Sequence, residues 1–413
     1  MPLPPLSPEQ RVKPRHFELR VASIFAFLFI PQGVHLPFFP VWLESKGYDA
    51  AQIALILSLP MFLRVVTTPF VTAFADRTRD RADILIVLVV LSLALASGYL
   101  FFDGYAAVLA ISILLAIAWT PHSPLTDSLA LSGVRRFGSN YTRMRIWGST
   151  AFLLANLGGG IIIARAGPAI VPLLIVVGLC GTLVAVAAAP RLGRPRLASP
   201  LSATDLPATP SLMSRHFLLL VGGAGLITSS HAFLYGFSSI YWKSLGIAES
   251  TVGILWAWSV ICEVGLFLAF TRLFGHLSAT ALISISGAFA ILRWIVFPLV
   301  WPSGLGVPGF FAVQALHAFS TGMMLIAVQK LIAESVPEER TGAAQGIAFF
   351  ANGMSMALFT LASGPLYDRF GAGGFLAMAV VATAGFVLIR MAGSAPDTQP
   401  HRSASGGDTR DPS

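Results

Sequence analysis

The sequence predicts an all-α membrane protein of twelve transmembrane helices, arranged as two pseudo-symmetric six-helix bundles. Three observations predict it: an apolar composition, a recurrence of span-length apolar runs, and one polar proline-rich segment that divides those runs six and six. Of 413 residues, 55% are hydrophobic and only 11% charged, and the mean hydropathy is +0.76. Soluble domains carry about a quarter of their residues as charges, so lipid must cover much of this surface. Cys180 and Cys262 both fall inside apolar runs, so neither a disulfide framework nor a cysteine metal site is expected.

About 20 mainly apolar residues cross a hydrocarbon core of about 30 Å. Runs of that kind occupy 19–43, 52–74, 83–102, 106–131, 142–166 and 168–188, then 215–241, 250–274, 277–300, 308–332, 341–367 and 372–392. Residues 1–18, rich in proline with Arg11, Lys13 and Arg15, read as a disordered basic leader. The apolar run that follows them is too long for a cleaved signal. Residues 189–214 hold Pro190, Pro195, Pro200, Pro207 and Pro210 among polar neighbours and read as a linker between the bundles 19–188 and 215–392. The tail 393–413, rich in Ser, Gly, Pro and Asp, reads as a disordered terminus.

Loop charge sets the orientation. On this arrangement 21 of the 27 Lys and Arg fall on one face, and only Lys46, Arg165, Lys243 and Arg369 on the other. The basic face belongs in the cytoplasm, which puts both termini there and the protein in a bacterial inner membrane. The net charge of +8 is therefore an orientation signal, and no nucleic-acid partner is expected.

The halves repeat in register. Gly47 and Gln52 open the second span as Gly246 and Thr251 open the eighth, 199 positions on, and at the same offset Arg64 corresponds to Glu263. Gly160, Arg165 and Gly167 are matched by Gly364, Arg369 and Gly371 at an offset of 204. Paired six-span repeats are the usual frame of a secondary transporter, with its site between them near the midplane.

An ionisable side chain inside a membrane helix costs about 3 kcal/mol or more, so it faces a cavity or a partner. Arg64 and Glu263 lie near the middle of their spans, and Arg293 lies in the outer half of the ninth. Asp127 follows Pro121 and Pro124, which break the fourth helix, and stands near Arg143 and Arg145 at the start of the fifth. Glu263 and Asp127 are the candidate proton carriers. The competing readings are a fixed ion pair of Glu263 with Arg293 or Arg64, and an Asp127 pair with Arg143 or Arg145. Arginine holds carboxylates through two parallel hydrogen bonds, so Arg64 and Arg293 are candidate substrate contacts. His35, His122, His231 and His317 all lie within spans; each is either an interhelical hydrogen-bonding group or a titrating contact. No two share a span, so no metal site is expected. Tyr235, Tyr241, Trp242, Trp256, Trp258 and Trp294 cluster in the seventh to ninth spans. They read either as rings lining a cavity, Tyr235 and Trp256 foremost, or as an interfacial belt, Tyr241 and Trp242 foremost.

The residues from Ala75 through Asp76, Arg77, Thr78, Arg79, Asp80 and Arg81 resemble the acidic-basic loop between helices two and three of the major facilitator superfamily, without its usual glycines. Asp76, at the inner end of the second span, can face the positive N-terminus of a neighbouring helix and with Arg77 is the candidate gate; the alternative is that residues 76–81 only set topology. A closer resemblance, spread over both halves, is carried by Pro124 to Asp127, Arg145 to Ser149, His231 to Ser238, Ile240 to Trp242, and Arg293-Trp294. These stretches resemble the branch containing the 3-phenylpropionate permease, related to the lactose and nucleoside proton symporters. The resemblance implies the major facilitator fold, alternating access and no enzyme activity or cofactor. It also implies that Arg143 and Arg145 are the arginine pair opening the fifth helix, available to salt-bridge Asp127 near the place of the helix-four acid, and that Glu263, Arg293 and His317 occupy charged positions of helices eight to ten. Ser320 stands where that family carries an acid one turn after the histidine.

The expected function is proton-coupled uptake, by a monomer, of a small organic anion such as a phenylpropanoid acid. Alternatives are a sugar or nucleoside symporter, an exporter of amphipathic compounds, and a membrane sensor or scaffold.

Overall fold

The computed structural model describes residues 12–78, 80–193, 214–335 and 341–393. Most of the leader, the linker residues 194–213, nearly all of the tail and the side chain of Asp76 lie outside the described residues, and so do the expectations made for them. Fifteen α-helices follow one another among the described residues: α1 Phe17–Ser45, α2 Ala50–Arg77, α3 Arg81–Ser97, α4 Tyr105–Trp119, α5 His122–Phe137, α6 Tyr141–Ala166 and α7 Val171–Ala187 in the first half. The second half has α8 Arg215–Ser229, α9 Ala232–Ser244, α10 Glu249–Phe274, α11 Ala279–Val296, α12 Gly306–Ala315, α13 Met323–Ser335, α14 Thr341–Phe370 and α15 Gly374–Gly393.

Three spans consist of two helices each: α4 with α5, α8 with α9, and α12 with α13. The apolar stretch Ala344–Ala392 in turn contains both α14 and α15. Twelve spans result. Each break has a local cause. Pro121 and Pro124 lack the N–H that would continue α4 into α5. Between α8 and α9 the Ser229 hydroxyl donates to Gly225 O at 2.7 Å and that of Ser230 to Ile227 O at 2.6 Å, competing with the backbone ladder. Between α12 and α13 the chain loosens into a π turn over Ala318–Gly322.

The sequence repeat is a structural one. Gly47 and Gly246 adopt φ of 83° and 77°, and Gly167 and Gly371 adopt 80° and 51°, each a left-handed turn that a side chain would strain. The two halves meet along α6 with α10 and α2 with α14. A Cβ on Gly160 would stand 2.7 Å from the Glu249 carbonyl oxygen, and one on Gly364 would run into that of Ala50. Ala50 and Glu249 are themselves 199 positions apart, so the two crossings are equivalent under the repeat. Both lie at the end of the molecule carrying Glu44, where Lys243 reaches Glu44 at 3.5 Å. The halves are thus fastened at that end, backbone against backbone.

Tyr241 and Trp242 are not an interfacial belt. They are 8% and 0% exposed, with the Trp242 ring 5.9 Å from Phe297 and 5.8 Å from Phe310. The rings pack between helices of the second half, where burial of apolar area outweighs an interfacial position.

Candidate functional site

A cavity of about 400 Å³ lies mainly within the first half, with two helices of the second half closing it. Three helix stripes converge on it. Gln32, His35, Leu36, Phe39 and Pro40 repeat at helical spacing along α1, and Ile56, Leu57, Pro60, Met61 and Arg64 do so along α2. Ser112, Leu115, Ala116 and Trp119 from α4 complete them, with Thr120 and Ser123 at the break. Tyr99, Phe152, Tyr235 and Thr360 fill the corners.

The wall is aromatic. His35 stacks on Phe39 at 4.4 Å, and its ring lies 5.4 Å from Trp119, edge to face. Tyr99 packs against Phe39 at 5.3 Å. Into this lining Arg64 brings a guanidinium with no ion pair or hydrogen bond to any described residue. Gln32, Thr120 and Ser123 supply further polar groups at the Arg64 level of the cavity.

The other intramembrane charges assemble elsewhere, among α9, α10, α11 and the π turn. The Arg293 Nη2 donates to Gln314 Oε1 at 2.5 Å, and Nη1 donates to His317 Nδ1 at 3.0 Å and to Ser320 Oγ at 3.4 Å. The Gln314 amide in turn donates to Leu255 O at 3.3 Å. Because His317 Nδ1 accepts, its proton sits on Nε2, which lies 3.6 Å from Glu263 Oε2. His231 has the opposite tautomer: Nδ1 donates to Thr228 O at 3.1 Å, and Nε2 faces the hydroxyls of Ser320 and Thr321 at 3.0 Å each. Gly322 lets the Glu263 side chain pass, since a Cβ there would stand 2.7 Å from Glu263 Cγ.

Glu263 therefore pairs with His317, and neither with Arg293 nor with Arg64. Ser320, at the position where an acid was expected, bridges His231 and Arg293 with its hydroxyl. Asp127 likewise forms no ion pair with Arg143 or Arg145. Its carboxylate accepts from Tyr141 at 2.8 Å, Arg143 is exposed, and the Arg145 guanidinium lies 4.2 Å above the Phe29 ring. Of the other sequence candidates, His35 and Tyr235 line the cavity, and Trp256 lies behind it. The Trp256 ring stacks 6.0 Å from Tyr235, and its indole donates to Ser239 at 3.0 Å. Arg77 is exposed at the end of α2. His122 is fully buried beside Ser92.

The sequence reading passed over Phe39, Tyr99 and Trp119, which form the ring wall, and Gln314, which anchors Arg293. A lone glutamine in an apolar run carries no charge signal, and the three rings sit on three different spans. The period-3.6 stripe of α1 was the signal available for Phe39.

A family model described as the MFS_1 like family matches residues 19–377. The chain is 27% identical over 354 residues to a protein of Escherichia coli K12 described as a probable 3-phenylpropionic acid transporter, covering 86% of this chain and 92% of that one. It is 25% identical over 355 residues to the maltose permease of Geobacillus stearothermophilus, covering 84% and 88% respectively. The solved structure of the nucleoside transporter NupG shares the fold, with a TM-score of 0.75 at 15% identity over 92% of this chain and all of that one. The matched segment takes in nearly all twelve spans and both halves of the cavity wall, and the chain belongs to the MFS_1-like family of major facilitator transporters.

Proposed function

We propose that this transporter carries a small aromatic monocarboxylate inward by alternating access, together with a proton. The observation that carries the reading is Arg64, a cation with no counterion among the described residues, in a cavity walled largely by aromatic and apolar side chains. A carboxylate ligand supplies the missing counterion through two parallel hydrogen bonds, and the rings of Phe39, Trp119 and Tyr235 suit an aryl group. A volume of about 400 Å³ is near the small end of ligand pockets, about 300 to 1,000 Å³, and favours a single ring with a short acid arm. The acid for which the E. coli relative is named agrees with that chemistry. A hydroxyl-rich sugar, as the maltose permease's name implies, would need more polar partners than Gln32, Thr120, Ser123 and Ser112 offer.

Glu263 is the proposed proton carrier. Its carboxyl is about a quarter exposed, lies at mid-depth, and has a histidine rather than an arginine as neighbour. Asp127, held by Tyr141, is the alternative. The loop-charge bias supports an inner-membrane protein with both termini cytoplasmic, and a reporter fused after Gly193 should work only as a cytoplasmic one.

Counterflow of labelled 3-phenylpropanoate in proteoliposomes of the purified protein tests the reading. Accumulation against unlabelled 3-phenylpropanoate, and not against maltose or uridine, is expected. Counterflow with the sugar or nucleoside alone would transfer the site to a polyhydroxy solute.

A further inference from the structure

At the far side of the cavity from Arg64 stands a second polar feature, the Tyr99 and Ser112 hydroxyls, 2.8 Å apart. Both residues line the cavity. Ile56, on the same α2 stripe as Arg64 and nearer the Glu44 end, lies eight residues from it, which is about 12 Å of helix axis. Tyr99, at the end of the third span, and Ser112, in the second turn of α4, lie toward that same end. The cavity is therefore polar at both ends and aromatic between.

Either hydroxyl can donate across this contact, but only donation by Tyr99 satisfies both contacts of Ser112. The Ser112 hydroxyl donates to Val108 O at 2.8 Å, and a serine hydroxyl has one proton. In that arrangement the proton between Ser112 and Tyr99 comes from Tyr99. The Tyr99 oxygen keeps its accepting lone pairs, and no described group donates to them. So arranged, the Tyr99 oxygen can accept a hydrogen bond and offers none.

We propose that Tyr99 reads a hydroxyl on the ring of the transported acid, so that the preferred substrates are aryl monocarboxylates bearing a ring hydroxyl distal to the acid arm. The inference rests on the aromatic-monocarboxylate reading of the same cavity and adds a donor requirement to it. A phenol donates to the Tyr99 oxygen. A methoxy group of similar size cannot, and brings two oxygens together without a proton between them. Ser112 is the positioning residue, since it decides which way the Tyr99 proton points.

The test is calorimetric titration of the purified full chain with 3-phenylpropanoate, 3-(4-hydroxyphenyl)propanoate and 3-(4-methoxyphenyl)propanoate. In the wild type the hydroxylated acid should bind roughly tenfold tighter than the unsubstituted one, as one buried hydrogen bond allows, and the methoxy acid more weakly than either. Tyr99→Phe keeps the ring packing against Phe39 and should erase the preference, the hydroxylated and unsubstituted acids then binding equally, while an unfolding temperature close to that of the wild type reports an intact fold. Ser112→Ala frees the Tyr99 proton and should raise affinity for the methoxy acid. Equal binding of the hydroxylated and unsubstituted acids by the wild type overturns the inference and leaves the aromatic-acid reading standing. Failure of all three acids to bind overturns both.

Discussion

Glu44 and Lys243 meet at 3.5 Å across the two halves of the molecule, and they stand 199 positions apart in the chain. That is the offset that relates Gly47 to Gly246 and Arg64 to Glu263. Each residue is the repeat counterpart of the other, so the ion pair sits on the pseudo-twofold axis itself. The equivalent crossings of Gly160 on Glu249 and Gly364 on Ala50 flank it, and alternating access requires all three to part together.

The ion pair is about one-third exposed on each side, so it should contribute less than about 1 kcal/mol to stability, and Glu44→Gln should unfold close to the wild-type temperature. Its importance lies in where it is. With Glu44→Cys and Lys243→Cys, a bifunctional thiol reagent should cross-link the halves and stop counterflow. Cleaving the linker chemically should restore it. Wild-type counterflow in the cross-linked protein would show that this end need not open.

The glycine crossings give a steric version of the same test. Gly364→Leu places a side chain against the Ala50 backbone, where no flexible group can yield. The variant should remain folded in detergent, because the helices can stay apart, but its counterflow should fall by more than about tenfold. Gly346→Leu, on the same helix with open space around it, is the control and should transport normally.

Arg293 offers a contrast with Arg64. Its Nη1 and Nη2 are engaged by Gln314, His317 and Ser320, its Nε has no partner among the described residues, and its side chain is fully buried. Removing a partner from a buried charged donor costs about 1–3 kcal/mol or more, so Gln314→Leu should lower the unfolding temperature by several degrees. Arg293→Lys should do the same, since an ammonium cannot reproduce the planar fork. In protein that remains folded, 3-phenylpropanoate affinity should change less than about threefold. A large loss of affinity without loss of thermal stability would make Arg293 a substrate contact.

Much of this was legible beforehand because each signal was local. Apolar runs of span length and the glycines that open equivalent spans act within one or two turns, and the structure places left-handed turns at Gly47, Gly167, Gly246 and Gly371 alike. Partner choice was another matter. Arg293 and Glu263 read as an attractive pair, yet His317 comes between them, and that depends on how α10, α11 and the π turn pack. Arg64 and Glu263 correspond in the repeat but not in role, since one faces the cavity and the other stands 3.6 Å from His317, at the edge of the Arg293 hydrogen-bonded network. The ring wall was missed because Phe39, Tyr99 and Trp119 come from three spans, whereas the span 7 to 9 aromatics that stood out as a sequence cluster serve mostly as packing.

Glu263→Gln imitates a permanently protonated carboxyl. If Glu263 carries the coupled proton, the variant should lose proton-driven accumulation while keeping 3-phenylpropanoate binding and energy-independent exchange, because exchange needs no deprotonation. The pH dependence of ligand affinity should flatten as well. Uphill accumulation with unaltered pH dependence would move the coupling site to Asp127.

The central claim is that Arg64 is the counterion of the substrate, and calorimetric titration of 3-phenylpropanoate into Arg64→Lys and Arg64→Met tests it most directly. The account predicts that the methionine variant, which keeps the length and removes the charge, loses at least about a hundredfold in affinity, and that the lysine variant loses about tenfold with the planar fork. Both should unfold no earlier than the wild type, because no described group depends on Arg64 for a partner and removing a lone intramembrane charge relieves a cost. Wild-type affinity in Arg64→Met, with the protein folded, would contradict the account.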